Sequence, residues 1–523
     1  MKKSYIISSI IAVSMIFNFS CQNLEENPVG LLSPEGLFNT PEDVALSVNG
    51  GYSLIGHENY WGRKLSLSLL LRGDMVTIGD ETTAGRRIEV DEMNMSANNG
   101  MVSAFWPKGY EAIAALNMAI EGSEGVEADE SELNAVVAEA RFLRAFIYYN
   151  FVRLFGEVPF VTASFANPED AYSIPASSED EIYAGILEDL EFAKLWLPDM
   201  PAFRSRPGKG TAAGFLASVH LTRGSFQSAY DEAKYVIDNS GAFGYALEGE
   251  FNDLFDPAMS EASNEILFEI DFIGADASGN PSELGGGNAS TDFIAPVTGP
   301  RGDERFSAGA GWSVAVPSLA VFNGWNENDY RRSVSFDTVL INGGLEVPYT
   351  GWDAIPRNVA RPHIAKYYRA IGQSGLETGS SLRDSDIDYI ILRYAEVLLI
   401  AAEALNEING GPTAEAEGYI NDIRSRARRE LDADASNDRA IPANVAGGLN
   451  QAAFRTEVLE ERRLELAFEF GRWFDIKRRN LGDAAFGATG LDPQNFSASK
   501  DYYFPKYQQD VDLNDNLNQN TGY

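Results

Sequence analysis

The stretch AVVAEARFLRAFIYYNFVRLFGEVP carries apolar residues at intervals of three and four: Val136, Ala140, Leu143, Ile147, Phe151 and Leu154. That spacing gathers them into one broad stripe along a helix, whereas a strand would throw them onto both of its faces. A helix with so wide a stripe needs partners to cover it. Gly156 and Pro159 end the segment, the first by tolerating a reversed backbone and the second by lacking an amide hydrogen. Upstream, FWPKGYEAIAALNMAIEG reads as a partner helix, so residues 103 to 156 form a helical hairpin. A second hairpin follows in EDEIYAGILEDLEFAKLWLP and GTAAGFLASVHLTRGSFQSAYDEAKYVIDN.

Within the second hairpin Leu216, Ala217, Gly224, Phe226 and Ala229 stand in the register of a tetratricopeptide unit, with small residues where two helices approach and an aromatic filling the gap. Ala404, Gly411 and Ala416 keep the same offsets in ILRYAEVLLIAAEALNEINGGPTAEAEGYINDIRSRAR. A last apolar stripe runs through AAFRTEVLEERRLELAFEFGRWFDIKRR. The fold class expected is mainly α, with tetratricopeptide-like helical hairpins forming a compact scaffold rather than an open solenoid. From about residue 245 to 388 glycine, proline, asparagine and aromatics rise and helical periodicity is lost. Only short runs such as EILFEIDFI and FDTVLI alternate like strands. Such an insertion is where binding residues concentrate. Residues 51 to 100 share this loop-rich character, and the two regions are candidates to converge in space. The organisation expected is a leader over 1–20 and one domain over 21–523, its helical scaffold at about 21–244 and 389–523.

The only cysteine, Cys21, closes a short apolar stretch behind Lys2 and Lys3. Cationic start, apolar Ile6 to Phe17 and small Ser20 make the three parts of an export signal too short to span a bilayer. An unpaired thiol is a liability outside the cell unless it is consumed. The pattern resembles a bacterial lipobox, departing from it at Asn18 and Phe19, in which Cys21 is the acylated first residue. Glu25 and Glu26 resemble the acidic stretch of some surface-exposed lipoproteins. The chain holds 41 Lys plus Arg against 77 Asp plus Glu, a formal charge of -36. That field repels phosphate backbones and anionic lipid headgroups, so nucleic acid is excluded as a partner and the membrane is met through the lipid.

Several stretches together resemble the SusD/RagB family of outer-membrane nutrient-binding lipoproteins of Bacteroidetes: EARFLRAFIYYNFVRLFGEVPF, the ILRYAEVLLIAAEALNEINGGPTAEAEGYINDIRSRAR hairpin, VLEERRLELAFEFGRWFDIKR and the ending FPKYQQDVDLNDNLNQNTGY. With the lipobox they span nearly the whole chain in order. The resemblance implies a body of four tetratricopeptide-like helix pairs, lipid-anchored to the outer face of the outer membrane. It further implies a partner, a SusC-like TonB-dependent transporter, to which oligosaccharide is delivered without chemistry on it. Peptide is the alternative ligand, and a surface glycoside hydrolase the third reading.

Sugar rings stack their C–H faces on aromatic rings and offer hydroxyls to planar polar groups. Loop-borne aromatics with polar neighbours are therefore the candidate ligand contacts: Tyr60, Trp61, Asp80 and Arg86 in the early loop region, and Trp312, Trp325, Asn326, Tyr349 and Trp352 in the insertion. Trp106, Trp196 and Trp473 sit on helical segments and read as packing. In EERRLELAFEFGR the charges fall at helical spacings, so Glu460 is expected to meet Arg463, and Arg462 to meet Glu465, in a salt network rather than an active site. Asp510, Asp512, Asn514 and Asn516 alternate like the start of a calcium loop but lack its glycine and terminal glutamate, and the segment is expected to be structural. His57, His220 and His363 lack ligand-spaced partners, so no metal is expected, and no cofactor. Arg301-Gly302-Asp303 spells an adhesion tripeptide too short to carry weight.

Overall fold

The computed structural model describes residues 37–165, 167–260, 262–272, 292–305, 311–367, 387–429 and 440–523. Cys21 and the expected leader over 1–20 lie outside them. The principal helices are α1 (Pro41–Gly56), α2 (Lys64–Arg72), α3 (Gly85–Asp91), α4 (Val102–Ser123), α5 (Glu130–Phe155), α6 (Glu179–Trp196), α7 (Lys209–Thr222), α8 (Phe226–Asp238), α9 (Tyr394–Asn409), α10 (Ala414–Ala427), α11 (Gln451–Glu465) and α12 (Arg472–Arg478). From α4 to α10 these helices pack each against the next, α1 covers α4 and α5, and α11 lies on α9. The α8–α9 contact joins helices on either side of the insertion, so the helical body is continuous in space although the chain leaves it for some 150 residues.

Helix α5 departs from the expected single stripe. Ala140, Leu143, Ile147, Phe151 and Leu154 are buried, but so are Phe142, Phe146, Tyr148 and Tyr149 on its other faces. It is a central helix surrounded by α1, α4 and α6, and it ends at Gly156, whose φ of 72° only glycine adopts without strain. The tetratricopeptide positions Ala217, Ala229, Ala404 and Ala416 are fully buried where paired helices meet. In the first pair the reversed turn falls at Gly224 (φ 72°); in the second it falls at Gly410 (φ 66°), one residue before the expected Gly411.

The insertion is closed at its base by strand β2 (Ile266–Ile270) running antiparallel to β4 (Tyr389–Arg393), with Ile270 opposite Tyr389 and Ile266 opposite Arg393. All five β2 residues are buried, so the expected alternation fails there: both faces of this strand are covered. A second junction, β1 (Val76–Ile78) with β3 (Ala315–Pro317), brings the early loop region onto the insertion.

The charged run of α11 forms an interhelical network that is buried at Glu461, Arg462, Arg463 and Glu465 and exposed at Glu460. Arg463 pairs with Glu460 as its spacing implies. Arg462, however, pairs with Asp475 and Glu396, each at 2.8 Å, and not with Glu465. Glu465 instead faces Arg331, Arg393 and Arg426 from three other segments, because its helix face is buried where those segments converge. Arg393 reaches Glu265 and Glu469 as well, and Lys366 reaches Glu469, so the ion pairs tie α10 and α11 to the base of the insertion. The C-terminal segment is structural. Asp510 accepts from Trp106 Nε1 at 2.7 Å, and Asn520 Nδ2 donates to the carbonyl of Phe155 at the end of α5.

Candidate functional site

The β1–β3 pairing sets Val76 opposite Pro317 and Ile78 opposite Ala315. Beyond it the ladder continues through Gly79 N–H to Val314 O (2.9 Å) and Asp80 N–H to Ser313 O (2.7 Å). A Cβ at Gly79 would stand 2.5 Å from Ser313 O, so only glycine lets these backbones approach. The pairing delivers Asp80 to the loop that carries Trp312.

The Asp80 carboxylate is almost fully buried and accepts from Thr82 N–H and Oγ1 and from Arg301 Nη2 (2.9 Å); Arg357 lies 2.6 Å away. Burial alone would raise its pKa, but the hydrogen bonds from Thr82 and Arg357 outweigh it and hold the carboxyl below its ordinary range. An ionised carboxylate saturated in this way orients guanidiniums; it is poorly suited to pass protons at neutral pH. The Arg301 backbone is clasped by Asn358, which accepts from its N–H and donates to its carbonyl. Two non-glycine residues here take left-handed backbones, Ser313 (φ 53°) and Arg357 (φ 69°), a strain of about 1–3 kcal/mol each that tends to collect at functional sites. Trp312 is half-buried and set edge-on to Phe293 (5.9 Å), whose face carries the Arg63 guanidinium at 4.2 Å. On α3, shortly after Asp80, Arg87 donates to Thr83 Oγ1 and Arg86 lies over Gly100.

The floor of this site is apolar and neutral. His363 Nε2 sits 2.9 Å from Ser313 Oγ, and burial pushes its pKa down to about 3, leaving the ring uncharged. Trp352 meets His363 edge-on at 4.9 Å and donates its Nε1 hydrogen to Val347 O.

The expected aromatic platform is therefore corrected. Tyr60, Trp61, Trp325 and Trp352 are core residues, each 3 % exposed or less. Trp61 stacks on Phe146, and Trp325 packs edge-on to Phe336. Tyr60, Trp61 and Trp325 join the main core of the helical body, in one cluster with Phe146 and Phe336, so these rings are spent on packing rather than display. Asp80 is likewise an internal anchor rather than a ligand-facing group. Of the nine expected contacts, the fold brings Asp80, Arg86 and half-buried Trp312 into one neighbourhood, with Trp352 as its support. Tyr349, half-buried, packs on Phe322 (5.5 Å), which packs on Phe336 beside Trp325, while Asn326 is exposed. These belong to a second aromatic group. Arg301, Arg357, Arg63 and Arg87 were not singled out by sequence. Arg301 lay inside the adhesion tripeptide set aside, and its partner Asp80 is 221 positions away. The Arg86-Arg87 pair after Gly85, in so acidic a chain, was the one local signal.

Residues 322–523 match the model described as the SusD family, and residues 77–221 match one described as starch-binding associating with outer membrane. The chain is 46 % identical to SusD-like protein P2 of Formosa agariphila over 100 % of both chains. It superposes on a SusD homolog from Bacteroides thetaiotaomicron with a TM-score of 0.78, covering 94 % of this chain and 98 % of that one at 23 % identity. Surface glycan-binding protein A of the same species, solved in complex with laminarihexaose, gives a TM-score of 0.73 over 92 % and 100 % at 19 % identity. These two likenesses establish a shared fold.

Proposed function

Since the chain belongs to the SusD family, we propose that it is a non-enzymatic glycan-binding lipoprotein of the outer membrane. In this reading it is anchored through Cys21, faces the cell exterior and hands oligosaccharide to a SusC-like TonB-dependent transporter. The observation that carries the ligand site is the meeting of the two loop regions at β1–β3. There Trp312 offers a half-exposed ring, and Asp80 aims two guanidiniums toward solvent. Rings with planar donors suit sugar C–H faces and oxygens, and stacking of about 0.5–1.5 kcal/mol per ring suits capture followed by release. The match to a family described as starch-binding associating with outer membrane, and a protein of the same fold solved with laminarihexaose, support the ligand class.

The test is titration calorimetry of the purified chain against a panel of oligosaccharides and a peptide mixture, with product analysis after overnight incubation. Binding of an oligosaccharide that Trp312→Ala weakens, with no shortened products, is the expected result. Retention of peptides alone would favour the peptide-receptor reading, and release of shorter sugars would make the protein a hydrolase.

A further inference from the structure

On the reading that the ligand is a glycan, we infer that it is an anionic one, a carboxylated or sulfated oligosaccharide whose oxyanions are received by the guanidiniums around Asp80.

The chain as a whole is strongly acidic, yet Arg301 and Arg357 pair with Asp80, Arg87 lies within electrostatic reach of that same carboxylate, and Lys64 faces Arg63, Arg86 and Arg87 beside it. Asp80 is shared by Arg301 and Arg357, and Glu58 by Arg63 and Lys64. Glu81 is exposed on the same turn, and Glu89 accepts from Asn99. Among the described residues Arg86 has no carboxylate partner, and Arg87, more than nine-tenths buried, hydrogen-bonds only to Thr83. The Nε atoms of Arg86, Arg87 and Arg301 are buried with no acceptor among the described residues. The cations also disfavour one another: burial, then Arg63, Arg86 and Arg87, take Lys64 down to about 7, and burial, then Arg86, takes Arg87 down to about 10.

A guanidinium only donates, and the one central acceptor, Asp80, is already used. A neutral sugar brings hydroxyls that both donate and accept, so a face of donors leaves half of that capacity unmet. A carboxylate or sulfate ester only accepts, and its planar or tetrahedral oxygens match the guanidinium fork. Bound there, it would also relieve the mutual repulsion of the cluster. Arg357 (49 % side-chain exposure) and Arg301 (23 %) are the groups a ligand meets first.

The experiment is calorimetry of the full chain against three classes of oligomer: a neutral β-glucan, a polyuronate and a sulfated galactan, each at 20 and at 300 mM NaCl. The charged oligomers are expected to bind, to lose affinity about tenfold or more at the higher salt, and to lose a further tenfold or so in Arg357→Gln and in Arg86→Gln. Both variants should keep the wild-type melting temperature, and having two keeps the test valid if one fails to fold. Binding of uronate alone, sulfate alone or both decides which oxyanion is read. Tight, salt-insensitive binding of the neutral glucan with charged oligomers inert would overturn the anionic inference while leaving the glycan reading intact. No binding in any class would overturn the glycan reading itself.

Discussion

Glu465 offers the sharpest test of how the helical body is tied to the insertion. Its side chain is fully buried and faces Arg331 at 2.9 Å, Arg393 at 2.5 Å and Arg426. Among the described residues the buried part of this network sets Arg331, Lys366, Arg393, Arg424 and Arg426 against Glu265, Asp329, Glu461, Glu465 and Glu469, and the more exposed Glu457 joins it at the rim through Arg424. Glu465→Gln keeps the shape and leaves one buried positive charge uncompensated, at a cost of about 3–5 kcal/mol. With an unfolding entropy of about 2.1 cal/mol/K per residue, a chain of this length unfolds with about 1 kcal/mol/K, so the melting temperature should fall by about 3–5 °C. The control is Glu460→Gln. Glu460 is half exposed beside Arg463, so its loss should cost about 0–1 kcal/mol, a shift of about 1 °C at most. Scanning calorimetry with a reversibility check, repeated as urea unfolding, reads both. The pH dependence has a definite sign. Burial pushes the Glu465 carboxyl up, but Arg426, Arg393 and Arg331 outweigh it and hold it far below the usual range. Its stabilisation is therefore present above the unfolded-state value of about 4.3 and is lost as pH falls below it. The gap between wild type and Glu465→Gln should narrow in acid. Equal melting temperatures for the two variants at pH 7 would refute the account.

Trp352→Ala removes a fully buried indole and its bond to Val347 O, and should cost about 3–5 kcal/mol; an unchanged melting temperature would return Trp352 to the ligand-facing surface. Asp91 is held up at about 8 by burial, then by Asp492, while accepting from Thr77 Oγ1 and Ile78 N–H. Its folded pKa exceeds the unfolded value of about 3.9, so wild type loses stability as pH rises through this window. Asp91→Asn should therefore gain on wild type steadily from pH 5 to 8 in thermal scans, and a pH-independent difference would count against the assignment. Gly79→Ala sets a methyl against Ser313 O and should part β1 from β3, weakening ligand binding well beyond any loss of thermal stability; calorimetry showing full affinity would mean that the junction does not build the site.

The helical half of the fold was open to reading because its information is local. A stripe at a period of 3.6 residues, small residues at fixed offsets and a glycine at each turn specify hairpins within a few tens of residues, as Ala217, Gly224 and Ala229 did. Even there the period could not reveal that α5 is covered on every side, since that depends on how many neighbours surround it. The site resisted for the opposite reason. Whether Trp325 faces solvent or Phe336 is decided by a partner eleven residues on, and composition near a tryptophan says only that the backbone is irregular. Sequence alone determined the hairpins, the acidic field and the two regions in which a ligand site would be sought. The tertiary structure decided which aromatics were consumed as core, paired Asp80 with Arg301 and Arg357, and turned the charged run of α11 inward. Ion pairing and burial are properties of converging segments, and the spacing within any one segment does not encode them.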